Sequence, residues 1–248
     1  MSVFHPSPGH SIWLRPHAAM FVYLPKVACT SWKLHLAAAL QVQPTQQLSY
    51  ATVHNPDVLP LPYLARLTAS EREQFEQLQQ SSDFRYYTVM RDPRERAVSA
   101  YLDKILFHAN PQSFFSQKVL PSIQDHIGLT ADAKPTFEQF LRWIQESPDS
   151  AAQNDHWCPM SHLLGLRACR TIPDQWIFWP MSSMPKAVSA INSLLAFDQS
   201  FPSREALGSR PNRQSRRAMN SLISEEENRL LNLIYCDDIT LYDEIVNF

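Results

Sequence analysis

The sequence predicts an α/β protein, with a central parallel sheet covered by helices. Three observations predict it. Apolar runs at residues 20–24 (MFVYL) and 85–90 (RYYTVM) each lead into a stretch of helical periodicity. A third run, residues 175–179 (QWIFW), does the same. Strands that alternate with helices need crossover connections, and these make the pairing parallel and bury both faces of the sheet. Ligands of such sheets bind beyond the carboxyl ends of the strands.

In chain order, residues 1–19 carry prolines and histidines throughout and read as irregular. After the first strand, Trp32, Leu36 and Leu40 recur at helical spacing, so a helix begins near Thr30 or Ser31, either of which can cap it. Residues 49–54 (SYATVH) read as a short strand halted by Asn55-Pro56. A polar helix with a thin apolar stripe follows over 68–80. The strand at 85–90 is the clearest of all, and Asp92-Pro93-Arg94-Glu95 after it has an N-cap acid and a proline at the first helical position. Residues 107–135 read as irregular. Helices are expected at 137–144, 185–195 and 225–235, with further helical turns toward Phe248.

The chain has 248 residues, 44% hydrophobic and 19% charged, with no linker composition and no repeat. That suits a single domain over 1–248. A net charge of −2 gives no general affinity for nucleic acid or anionic membrane, so an anion site must come from local clusters. The first twenty residues lack the pattern of a signal peptide or a spanning segment. Cys29, Cys158, Cys169 and Cys236 are spaced as neither a disulfide framework nor a metal knuckle. The expectation is a soluble, cytoplasmic, reduced protein of unspecified oligomeric state.

Three predicted strands end in polar residues: Lys26 after the first, His54 on the second and Arg91 after the third. In Lys26-Val27-Ala28-Cys29-Thr30-Ser31 the backbone N–H groups and the positive end of the following helix suit an anion, with charge from Lys26 and hydroxyls from Thr30 and Ser31. The alternative is an ordinary strand-to-helix turn with a solvated lysine. The loop has no glycine and no G-x-x-x-x-G-K-[ST] pattern. Arg91 is placed for bidentate phosphate recognition, and Ser99 lies about two helical turns further on. Pairing of Arg91 with Asp92 or a nearby carboxylate is the competing reading.

Taken together, "PKVACTSWK" and "RDPRERAVSAYLDK" resemble the two signature segments of the carbohydrate sulfotransferases, the chondroitin/dermatan 4-O and HNK-1 group of Golgi enzymes. "NDHWCPMSHLL" and "LISEEENRLLNLIYCDDITLY" resemble further family segments, so the likeness runs from about residue 20 to the end. Departures are Asp92 for the usual Glu, Ser31 for Asn, and the missing membrane anchor. The resemblance implies a three-layer fold related to the P-loop nucleotide-binding fold. It also implies the donor PAPS (3′-phosphoadenosine 5′-phosphosulfate), with PAP as product, and a carbohydrate or glycoconjugate acceptor. The first segment, Lys26, Val27, Ala28, Cys29, Thr30, Ser31 and Trp32, would hold the 5′-phosphosulfate, and Arg91 and Ser99 the 3′-phosphate. Trp32 itself reads as a core anchor and Cys29 as a small packing residue.

No metal is expected, because a sulfuryl group in transfer carries less charge than a phosphoryl group and a lysine with backbone dipoles suffices. Related hexuronic 2-O-sulfotransferases carry a catalytic histidine between the two motifs, which points to His54 as the base, with His156 as its rival. A strand-end histidine that caps a backbone group is the plain alternative. In the basic run 203–217, Arg213 and Ser215 are candidates for the 3′-phosphate or an acidic acceptor group, and a solvated loop is the alternative. A P-loop-type kinase and an inactive nucleotide-binding module are the competing functions.

Overall fold

Four strands form one sheet in the order β1-β2-β3-β4: β1 (Ser11–Trp13), β2 (Ala19–Val22), β3 (Arg85–Met90) and β4 (Trp176–Pro180). The computed structural model describes residues 5–49, 52–108, 110–147, 154–169, 171–202 and 223–247. β2, β3 and β4 are parallel, as the alternation predicts. β1 pairs antiparallel with β2, Ser11 opposite Val22, so the segment read as irregular supplies an edge strand. Three residues are too few to show an alternating pattern, which is why the sequence hides it.

The β3–β4 pairing carries stacked aromatic rings. Tyr86 lies opposite Trp176 with centroids 4.8 Å apart, and Tyr87 stacks on Trp179 at 5.9 Å. Cross-strand aromatic pairs each add a few tenths to about 1 kcal/mol to a sheet. Thr88, fully buried, satisfies its hydroxyl by donating to the Val22 carbonyl at 2.7 Å, which ties β3 to β2.

The strand expected at 49–54 is not found among its described residues, of which 52–54 form a turn. Ser49 N–H donates to Thr52 Oγ1 at 2.8 Å, and Thr52 N–H donates to Ser49 Oγ at 3.2 Å. Such local side-chain bonds compete with a sheet ladder and win here. The buried Val53 pins the turn to the core. His54 therefore sits on a turn, not at a strand end.

Helix α1 (Cys29–Ala39) starts earlier than expected, and its N-cap is Ala28 rather than Thr30 or Ser31. α2 (Ala69–Gln79) has a capping box of Thr68 and Glu71. α3 (Pro93–Tyr101) starts as predicted: the Asp92 carboxylate accepts from the N–H groups of Arg94 and Glu95 at 2.8 and 3.2 Å.

The region read as irregular, 107–135, contains a helical run from Phe115 to Ile127. A π-helical turn (Leu102–Leu106) extends α3, and a second (Phe115–Val119) enters α4 (Leu120–Ile127). π turns break the 3.6-residue period, and Pro121 sits in the first turn, where proline is tolerated; both mask the helix in the sequence. α5 (Phe137–Glu146), the short α6 (Met160–Leu163), α7 (Met184–Leu195), α8 (Glu225–Ile234) and α9 (Cys236–Asn247) complete the chain. α7 and α9 pack on β4, and a second apolar cluster joins α3, α4 and α5 around Trp143 and Trp157.

Candidate active site

The turn between β2 and α1 takes a left-handed course without glycine. Lys26 and Ala28 both take left-handed backbone conformations, with φ of 69° and 53°. That region costs an L-residue about 1 kcal/mol or more, and such strain persists where the surrounding fold imposes it. α1 has no side-chain cap. Its first-turn N–H groups therefore carry the helix's partial positive charge uncapped by any side chain.

Lys26 is only 8% exposed, and its ammonium donates to Asp103 Oδ2 at 2.9 Å. The Lys104 ammonium lies 3.2 Å from the same oxygen. Burial pushes the Asp103 pKa up, but the two ammonium groups outweigh it and hold the carboxyl at about 2. Asp103 and Lys104 both belong to the π-helical turn after α3, a distortion that often marks functional sites.

These groups line a cleft of about 480 Å³ together with Cys29, Lys33, His54 and His156. Both candidate histidines thus face the space that Lys26 faces. His54 Nε2 lies 3.0 Å from Thr30 Oγ1, and His54 Nδ1 lies 3.4 Å from Lys33 Nζ. His156 is different in kind. Burial first, then the nearby Lys104, Lys26 and Arg96, drive its pKa down to about 2. Its Nδ1 sits 2.8 Å from Asn154 Oδ1, and its ring meets Phe115 edge-on.

Arg96, 1% exposed, braces the two loops that carry these residues. Its guanidinium donates to the carbonyls of Pro25, Cys158 and Asp155 at 3.1, 2.8 and 2.7 Å. Arg91 also touches the lysine loop, donating to the Lys26 carbonyl at 3.4 Å, and pairs with Glu95 at 3.2 Å. Arg91 and the buried Ser99 are not among the residues that line the cleft. Val27 and Trp32 are core residues, the Trp32 ring packing against Phe21 and Phe201. Arg213, Ser215 and the basic run around them lie outside the described residues. A second cavity of about 340 Å³, bordered by Arg15, His17 and Leu195, is lined by none of the groups named above.

Sequence reasoning passed over Lys33, Asp103 and Lys104. Lys33 is three residues after Thr30, and Asp103 four after Ser99, so each shares a helix face with a residue already singled out. That spacing was the available signal.

The sequence motifs accord with what comparison with known proteins finds. The model of the sulfotransferase family (Sulfotransfer_2) matches residues 10–243. The chain belongs to the sulfotransferase family. Among curated relatives, carbohydrate sulfotransferase 14 of Mus musculus is 29% identical over 145 residues, 58% of this chain and 36% of the relative. Its Homo sapiens counterpart is 28% identical over the same length. Carbohydrate sulfotransferase 10 of Danio rerio is 26% identical over 134 residues, 52% of this chain and 35% of the relative. The matches thus span about a third of the length of these relatives. No solved structure matches the chain. Among the described residues, no group of three or more His, Cys, Asp or Glu could hold a metal ion, and no helix is long and apolar enough to cross a membrane.

Proposed function

We propose that this sulfotransferase moves a sulfuryl group from PAPS to a hydroxyl of a carbohydrate or glycoconjugate, with His54 as the base. The observation that carries the reading is the cleft itself: Lys26, on a strained glycine-free loop at an uncapped helix N-terminus, shares it with an accessible histidine. The chemistry of the loop fits a phosphosulfate. One ammonium and several N–H donors meet there, and these are what a polyanion requires.

In this reading Lys26 and the first-turn N–H groups of α1 hold the 5′-phosphosulfate. Lys26 then stabilises the negative charge that grows on the phosphate oxygen as the S–O bond breaks. Arg91 and Ser99 hold the 3′-phosphate from the next loop and helix. His54 takes the proton of the acceptor hydroxyl. The strongly depressed basicity of His156, buried beside three cations, favours His54 for that task and leaves His156 a part of the wall. Carbohydrate as the acceptor class rests on the names of the relatives, both of them carbohydrate sulfotransferases.

Incubating the protein with radiolabelled PAPS and a panel of glycans, glycolipids and small alcohols tests the proposal. Label transferred to a sugar hydroxyl, in the absence of ATP, is the expected result. Transfer that requires ATP and Mg²⁺ instead would assign the site to phosphoryl chemistry.

A further inference from the structure

One residue of the first motif has no role in the scheme above: Lys33, the lysine after Trp32. It is 3% exposed, on the same face of α1 as Thr30, and it lines the cleft. Its ammonium lies over the Tyr23 ring, 4.3 Å from the centroid, and 5.5 Å from that of Tyr63. The Tyr23 ring is itself anchored, its hydroxyl donating to the Gly9 carbonyl at 2.8 Å. Such cation–aromatic contacts hold a charge in place where no carboxylate pairs with it. Burial lowers the Lys33 pKa to about 8, which makes the group a readier donor to a growing negative charge.

An ammonium has three donors and no acceptor. The nitrogen facing it at 3.4 Å, His54 Nδ1, therefore carries the lone pair. The proton then sits on Nε2 and is donated to Thr30 Oγ1, 3.0 Å away. The basic atom of His54 is thus aimed at Lys33, within the cleft that holds Lys26.

We propose that Lys33 is a catalytic residue of the transfer step, and that the acceptor hydroxyl binds between Lys33 Nζ and His54 Nδ1. This rests on the reading of His54 as the base. The hydroxyl oxygen accepts a hydrogen bond from the ammonium while its proton passes to Nδ1. The new O–S bond forms as the bond from sulfur to the phosphate oxygen breaks, and the electron pair leaves on that oxygen. The imidazolium that results keeps its Nε2–H on Thr30. Hydrogen bonds near 2.8 Å on both sides of a tetrahedral oxygen require the two nitrogens to part by only about 1 Å, within the reach of an unbranched lysine stem. The small chamber of about 120 Å³ that Lys33 and His54 share with Tyr23, Tyr63 and Arg66 then receives the atoms next to that hydroxyl.

The test has a spectroscopic and a kinetic arm. Long-range ¹H–¹⁵N correlation on the ¹⁵N-labelled protein should show His54 as the Nε2–H tautomer. Lys33→Met, which keeps the apolar stem between the tyrosine rings, should cut transfer by at least ~100-fold and leave PAP affinity within about threefold by calorimetry. If that variant does not fold, Lys33→Gln, which keeps a donor but no charge, should still lose on the order of 10-fold or more. A His54 in the Nδ1–H form overturns the proposal, as does wild-type transfer in a folded Lys33 variant. Full transfer in His54→Ala instead removes the base reading on which it stands. An inactive His54→Ala beside a fully active Lys33→Met removes the lysine's role alone.

Discussion

The Lys26 ammonium and the Asp103 carboxylate meet at 2.9 Å, with Asp103 reaching the lysine from a helix 77 positions further along the chain. In the proposed function a donor phosphosulfate and Asp103 compete for one cation. Asp103→Asn removes the competing charge and keeps the side chain's shape. It should tighten PAP binding by about 3- to 10-fold, the scale of one partly screened charge at this range. Calorimetric titration checks it; unchanged or weaker binding would show that Asp103 organises the lysine rather than opposing the donor.

The two anion-holding loops of the proposed function predict a nucleotide preference. PAP should raise the melting temperature by mass action, and 5′-AMP, without the 3′-phosphate, should do so far less. Arg91→Ala should erase most of the difference. Equal shifts from the two nucleotides in the wild-type protein would remove the 3′-phosphate assignment from Arg91 and Ser99.

His54→Ala should leave PAP affinity nearly unchanged, because the proposed function places the donor on the lysine loop and Arg91. Transfer should fall by roughly 10²- to 10⁴-fold, the usual contribution of positioned proton transfer. Lys26→Ala should instead damage both donor affinity and rate. His156→Ala reducing the rate as much as His54→Ala, at unchanged melting temperature, would transfer the base role to His156.

Arg96 holds the lysine loop and the His156 loop through three carbonyl groups. Arg96→Met leaves those carbonyls without their donor, at on the order of 3 kcal/mol or more of stability. Urea denaturation measures it. A loss below about 1 kcal/mol would mean that water replaces the guanidinium and that Arg96 is no brace.

The neutral histidines predict how stability varies with pH. Burial is the main reason that His10 falls to about 4 and His156 to about 2. Below pH 6.5 the unfolded chain takes up protons that the folded chain refuses, so stability is complete above that value. It falls as pH drops from 6.5 toward 4 for His10, and on toward 2 for His156. Each costs up to roughly 1.4 kcal/mol per pH unit in its window. Asp238, whose pKa burial raises, acts in the opposite sense. Melting temperatures should therefore drop between pH 7 and 5, and less steeply in His156→Gln. Parallel curves for the two proteins would mean that His156 takes up its proton in the fold as it does in the unfolded chain.

The amino-acid sequence alone determined β2, β3 and β4, the cap at Asp92, and the position of Lys26 and Arg91 after strand ends. Each of these follows from neighbours within about four residues: apolar runs, capping side chains, a proline at a first turn. The family motifs were legible for the same reason, being short and contiguous. Where two local preferences compete, the tertiary structure decided. Ser49 and Thr52 turned a strand-like stretch into a turn, and a π turn (Phe115–Val119) leads into α4 within residues that read as irregular. It also decided the partners within the cleft, Asp103 on Lys26 and Lys33 beside His54. Those pairs are separated by 77 and 21 positions, and groups so far apart in sequence come together only when the packing of β2, α1 and the π turn has fixed where each side chain ends.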